Sequence, residues 1–247
     1  MAEGLAQGLG LLGWRTVGDT VTEDNEGEKR LYRQHRWQRP PGACDILLVR
    51  HAESAPEDPD NPAPMVDGQA DPALDPVGEE QAELLADRLA DEDITAIHVT
   101  TLRRTAQTAA PLAARLGLEL RVEPDLREVY LGEWETTFRR RIAEGGDIVR
   151  RMYSDERWEA IPGAETSEAF AKRLQTGILR VAAAHADETV LVVSHGGAIG
   201  QILARATGAR PFALSTDNCS LSRLVVTPER WIVRAYNDTH HLRQRLT

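Results

Sequence analysis

Cysteine is scarce in this 247-residue chain: Cys44 and Cys219 are its only two, far apart and in no paired motif. That excludes a disulfide framework and a zinc knuckle, and a reducing cytoplasm is the expected compartment. Basic charge is short as well. Lys and Arg number 29 against 39 Asp and Glu, a formal net charge of −10. Such a balance argues against a general nucleic-acid binder and leaves room only for a local basic pocket. No apolar run approaches the ~20 residues that cross a bilayer, so no membrane partner is expected. The opening "MAEGLAQGLGLLGW" is apolar, but it carries Glu3, lacks a basic leader and is broken by glycines, a poor match to a secretory signal. Internal repeats are missing, and so is any cluster of metal-ligating residues. Neither a metal nor another cofactor is expected.

What is present suits a packed enzyme-sized domain. The hydrophobic fraction of 41% is ordinary for a soluble chain that can bury a core. Residues 1–43 read as an N-terminal extension with an acidic stretch, "TEDNEGEKR", and an arginine- and aromatic-rich one, "LYRQHRWQRPPG". The second piece suits a flanking hairpin, a packing arm or a subunit contact, and a homo-oligomer is left open. From residue 44 to 247 strands alternate with helices. "DILLVR", "ITAIHVT", "LELRVEP" and "TVLVVS" read as strands, and "LSRLVVTPERWIVRAYN" as a strand–turn–strand. "EEQAELLADRLADE", "RRTAQTAAPLAARLG", "SEAFAKRLQTGILRVAAAHA" and "AIGQILARATG" carry apolar residues at helical spacing, and residues 135–158 read as polar helix. That order predicts a three-layer α/β/α fold with a mainly parallel central sheet.

Two of the apolar strands end alike. "ILLVRHAES" and "VLVVSHGG" each deliver a histidine, His51 and His195, to the carboxyl end of a strand, where open α/β sheets bind ligands. One histidine there is more often a structural strand exit. Two at equivalent ends, one beside Arg50, favour a shared anion, because arginine pairs with phosphate oxygens in fixed geometry. "TTLRRTAQTA" opens a helix with Arg103 or Arg104 in its first turn, against the helix dipole, which invites a compensating anion. Glu128 follows in the loop "DLREVYLGEWE".

Taken together, these segments resemble the histidine phosphatase superfamily, of phosphoglycerate-mutase-like fold, from about Cys44 to the C-terminus. "RHAES" is similar to the signature R-H-G-E-T/S, with Ala52 for the glycine. "LRRTAQTA", "LREVYLGEWE" and "SHGG" match the second, third and fourth elements, and "DGQADPALDPVGEEQA", "PGAETSEAF" and "NDTHHL" extend the match. The resemblance implies His51 as nucleophile, Arg50 and Arg104 as phosphate ligands, Glu128 as proton donor and His195 as a further catalytic residue. Glu53 and Glu133 stand next in line for the donor's role. The family places a phosphate-binding asparagine six residues after the first histidine. Glu57 occupies that position here, and Asn61 comes into register if four residues are inserted, so Asn61 is expected to bind phosphate.

The implied reaction is metal-independent hydrolysis of a small phosphomonoester through a phosphohistidine. Two other readings stay open: a phosphoglycerate mutase, which returns the phosphoryl group to substrate, and a non-catalytic anion-binding module. Mutases of the family carry W-N after the first motif and E-R-H-Y-G around the glutamate, whereas this chain has "APEDPDN" and "REVYLGEW". Residues 135–158 are expected to cover the pocket. Their arginines, Arg139, Arg140, Arg141, Arg150 and Arg151, form either a solvated face or a ligand for a second anionic group.

Overall fold

Along strand β1 (Cys44–Arg50), Ile46 and Leu48 point to one side and Leu47 and Val49 to the other, as the two-residue period of a strand requires. All four are buried, so this strand needs cover on both faces. The computed structural model, which describes residues 36–242, supplies it. Helices α1 (Pro76–Leu89) and α2 (Arg103–Leu116) pack Leu85, Leu89 and Leu112 against Leu47 and Val49. On the opposite face, α5 (Ser167–Ala184) and α6 (Gly196–Thr207) pack Phe170, Leu174, Ile199 and Ile202 against Ile46 and Leu48. The result is the expected three-layer architecture.

The main sheet has six strands in the order β5-β4-β6-β1-β7-β8. Strands β4 (Ile94–Val99), β5 (Leu120–Val122) and β6 (Thr189–Ser194) run parallel to β1, and β7 (Leu221–Val226) and β8 (Trp231–Asp238) form an antiparallel hairpin at one edge. A two-stranded ribbon, β2 (Met65–Val66) with β3 (Gln69–Ala70), lies outside it. One register decides the rest of the molecule. β1 and β6 are adjacent with Arg50 opposite Ser194, so the residues that follow, His51 and His195, emerge side by side.

Helix ends follow local chemistry. Asp75 accepts from the Gly78 N–H at the start of α1, Thr166 from the Ala169 N–H at the start of α5, and Gly117 closes α2 at φ 66°. The stretch expected to be one polar helix is two short ones, α3 (Phe138–Glu144) and α4 (Asp147–Asp155). Gly145 and Gly146, at φ 72° and 108°, break it where a side chain would be strained. Of the N-terminal extension, residues 1–35 lie outside the description. The described part lies against the domain: Arg234 stacks over the Trp37 ring at 4.1 Å and Gly42 N–H donates to Asp187 Oδ1 at 2.7 Å. Both cysteines are buried free thiols, and burial pushes each up to about 12. Among the described residues no helix is long and apolar enough to cross a membrane.

Candidate active site

His51 leaves β1 with its imidazole almost fully buried and its centroid 5.2 Å from that of His195. Its Nδ1 lies 2.8 Å from the carbonyl oxygen of Ala52. A carbonyl only accepts, so Nδ1 carries the proton and the neutral ring keeps its lone pair on Nε2. Burial holds the His51 pKa well below 6.5, and the charges of Arg104 and Arg50 lower it further. The backbone is pinned as firmly as the ring. His51 N–H donates to Ser194 O, and Asn218 Nδ2 donates to His51 O at 3.0 Å.

The two arginines arrive from different layers. Arg50 ends β1, donates from Nη1 to Thr216 O, and keeps its Nε without a protein partner among the described residues. Arg104 lies in the first turn of α2 with 10% of its side chain exposed, and donates from Nη1 to Ala70 O at 3.0 Å. Arg103, its neighbour, is 45% exposed and turned away from the cleft lining. The helix phase therefore turns Arg104, and not Arg103, to the cleft. Asp71 makes this arrangement tolerable. Its Oδ1 accepts the Arg103 N–H at 2.8 Å and lies 3.9 Å from Arg104 Nη1, so one carboxylate caps α2 and offsets its basic first turn. Burial lowers the pKa of both Arg50 and Arg104, and the Glu128 carboxylate acts in the opposite direction on each.

Glu128 is held by backbone at both oxygens: Val129 N–H donates to Oε1 and Gly197 N–H to Oε2, each at 2.9 Å. The second donor belongs to the first turn of α6, where the helix dipole favours an anion. A Cβ at Gly197 would lie 2.6 Å from Glu128 Oε1, so this close approach depends on glycine. The loop itself is anchored from below. Arg173 donates to the carbonyls of Asp125, Arg127 and Glu128 while paired with Glu165, and Gln69 Nε2 donates to the carbonyls of Glu128 and Val129.

His195 caps α6 at the end of β6 with its ring buried. Its Nε2 shares a 3.0 Å hydrogen bond with the Thr100 hydroxyl, and Nδ1 has no protein partner among the described residues. Burial, then Arg104, His51 and Arg50, hold its pKa well below 6.5. A cleft of about 300 Å³ opens over this group and is lined by Arg50, His51, Arg104 and Glu128. Its chemistry is legible: an unprotonated ring nitrogen, two guanidinium groups and a carboxylate line one cleft.

Asn61 is not brought to this cleft. Its side chain is exposed on the loop, and its N–H donates to Asp58 O. Glu57 has a different duty from the one its position suggested. Its carboxylate accepts the backbone N–H groups of Arg139 and Arg140 at 2.6 and 3.0 Å, capping α3 from a distant segment. It is thus an anion satisfied by amides, and it brings Arg139 to the site, whose Nη2 donates to Ser54 Oγ at 3.1 Å. Arg140 sits at the surface in an i,i+4 pair with Glu144, and Arg150 pairs with Asp147, also at the surface. Glu53 and Glu133 are exposed and do not line the cleft. Glu135 does line it. Burial raises its pKa, although Leu131 and Ala70 N–H groups bond its oxygens. Sequence reasoning passed over Asp71, Gln69, Glu135 and Arg173. Asp71 and Gln69 lay inside a motif already matched, and Arg173 had only its place on a buried helix face to mark it.

Fold and site together define an α/β protein with two histidines and two arginines gathered at the carboxyl ends of its parallel strands. Residues 46–239 match the histidine phosphatase superfamily (branch 1), and the chain belongs to that family. Among its relatives, "Probable phosphoglycerate mutase GpmB" of Yersinia enterocolitica is 32% identical over 206 residues, covering 80% of this chain and 94% of that one. The alpha-ribazole phosphatase of Shigella flexneri has a solved structure that superposes with a TM-score of 0.64 at 26% identity, over 78% of this chain and 96% of that one. The phosphoglycerate mutase of Bacillus anthracis shares the fold with a TM-score of 0.68 at 21% identity, over 82% and 96%.

Proposed function

We propose that the protein is a phosphatase that hydrolyses a phosphomonoester through a phosphohistidine on His51, without a metal ion. The observation that carries this reading is the 2.8 Å contact of His51 Nδ1 with Ala52 O. It leaves Nε2 as a nucleophile of fixed tautomer beside two arginines. In the first step the Nε2 lone pair forms a bond to phosphorus while the ester P–O bond breaks. Arg50 and Arg104 take the phosphoryl oxygens, and His195 donates from another side. Glu128, which takes up a proton as the anionic phosphate group enters beside it, gives that proton to the departing alkoxide. In the second step Glu128 takes a proton from water, whose oxygen attacks phosphorus. The N–P bond breaks, releasing inorganic phosphate and restoring His51.

Charge neutralisation by arginine is what makes a metal ion dispensable here. A mutase is the second reading, favoured by the 32% identical relative bearing that name. Against it stand "APEDPDN" and "REVYLGEW" where the mutases carry W-N and E-R-H-Y-G. Incubation with 3-phosphoglycerate and with a panel of phosphorylated metabolites separates the two. Release of inorganic phosphate supports the phosphatase. Conversion to 2-phosphoglycerate without phosphate release would replace it with the mutase.

A further inference from the structure

The cleft over His51 has two lobes that share Arg50, His51, Glu128, Phe138 and Trp158. One carries the charged side chains of Glu57, Asp58, Arg104, Glu135 and Arg139 in its lining. The other is walled by Met152, Tyr153, Phe212 and Leu214 together with the shared Phe138 and Trp158. Its rings come from separate segments: α3, α4, the turn after α4, and the turn after α6. They nevertheless meet, two pairs tilted and one edge to face. Trp158 and Phe212 have centroids 4.7 Å apart, Tyr153 and Phe212 lie 5.8 Å apart at 86°, and Phe138 and Trp158 are at 6.3 Å. Two of the chain's three phenylalanines are spent on this wall.

The wall is backed by buried side chains and exposed in front. Buried Met152, Trp134 and Ile161 support Phe138, Trp158 and Phe212, yet those three rings stay partly exposed and Tyr153 is 51% exposed. Aromatic surface kept in water at the mouth of a site marks a place for an apolar group. Charge points the same way. Of the residues lining this lobe, Arg50 alone is a cation, and its place is beside the phosphoryl group. A second carboxylate or phosphate on the substrate would find no partner there. Position completes the case. A Cβ at Gly197 would lie 2.6 Å from Glu128 Oε1 and 3.3 Å from Trp158 Cζ2, so the carboxylate and the indole flank one glycine. An ester oxygen within reach of Glu128 has the aromatic wall beside it.

We infer that this lobe is a subsite for an apolar, ring-bearing alcohol, so that the substrates are phosphomonoesters of neutral, bulky alcohols and not small dianionic acids. The inference deepens the phosphatase reading and rests on it only for the fate of the ester. Binding is therefore tested with phosphonates, whose P–C bond cannot be hydrolysed. Titration calorimetry on the full chain would compare ethyl-, 2-phenylethyl-, 2-naphthylethyl- and 2-carboxyethylphosphonate. Affinity should rise at least about tenfold from the ethyl to the naphthylethyl compound, the gain expected from burying one large apolar group after ordering costs. The carboxyethyl compound should bind no better than the ethyl one. Phe212→Ala and Tyr153→Ala should each erase most of the naphthyl advantage. Tyr153 is exposed enough that its removal leaves the fold intact. Trp231→Ala, on a different surface, should leave that advantage in place. Four affinities within about threefold, tightest binding by the carboxylate, or a naphthyl advantage untouched by both variants would overturn the subsite. Failure of every phosphate ester to release phosphate would instead overturn the phosphatase reading, with the phosphonate series still deciding the subsite.

Discussion

Replacing Gly197 by alanine probes the acid without touching any reacting side chain. The new Cβ would meet Glu128 Oε1 at 2.6 Å, Glu128 Cδ at 3.2 Å and Trp158 Cζ2 at 3.3 Å. Ordinary van der Waals contact requires the carboxylate to retreat by about 0.5–1 Å, and a misplacement of that size costs on the order of 10² in rate. The retreat also loosens the 2.9 Å hydrogen bond from Gly197 N–H to Oε2. Stability should move far less. Alanine gains up to about 1 kcal/mol over glycine inside a helix, which offsets part of the crowding. The assay is single-turnover release of alcohol from 2-phenylethyl phosphate and from nitrophenyl phosphate, with thermal melting as the fold control. Gly197→Ala should slow the alkyl ester about 10²-fold and the nitrophenyl ester much less, since a good leaving group needs little protonation. Glu128→Gln should follow the same pattern, with a loss of roughly 10²–10⁴ on the alkyl ester. Wild-type rates in Gly197→Ala, or equal losses on both esters, would refute the assignment of the acid and turn attention to Glu135.

Arg104→Ala should lower kcat/KM for phosphate release by on the order of 10²–10³, as loss of a charge-assisted contact to the transition state does. Arg103→Ala should stay within about twofold, and similar losses in both would undo the choice between them. Chelator treatment should leave turnover intact, whereas activity lost to chelator and restored by a divalent cation would count against the arginine-only mechanism. Folding should be acid-sensitive. His51 and His195 sit well below 6.5, and His98 is lowered to about 4 by burial, His185 and Arg121. The unfolded chain therefore binds protons first, so stability is full above pH 6.5 and declines below it, by up to about 1.4 kcal/mol per pH unit for each such histidine. Urea titrations at pH 7.5 and 5.5 would reveal a flat profile if these rings were solvated.

The sheet was legible because its strands are short continuous apolar runs that only burial on both faces explains. His51 and His195 could be paired from sequence for the same reason, since both follow such runs. The loop between β1 and α1 was not legible. Glu57 and the amides of Arg139 and Arg140 that it caps are separated by more than eighty positions, and neither side carries periodicity. Placing Asn61 in the site assumed that the loop keeps the family's course with an insertion; in the structure the Asn61 side chain is exposed while its neighbours Pro62 and Ala63 line the cleft. Arg173 was missed because its five donor contacts go to backbone carbonyls and a carboxylate, partners no linear pattern announces. The break at Gly145 and Gly146 was visible as two glycines, but the surrounding polar residues offered no apolar stripe by which to see two helices instead of one.

The central claim is that His51 Nε2 takes the phosphoryl group, and trapping the intermediate tests it most directly. Enzyme mixed with a radiolabelled phosphomonoester and quenched within milliseconds should carry label that is acid-labile and base-stable. Peptide mapping should place the label on His51, and His51→Ala should show neither label nor turnover. Label on a serine or an aspartate, or label that persists in His51→Ala, would contradict the account.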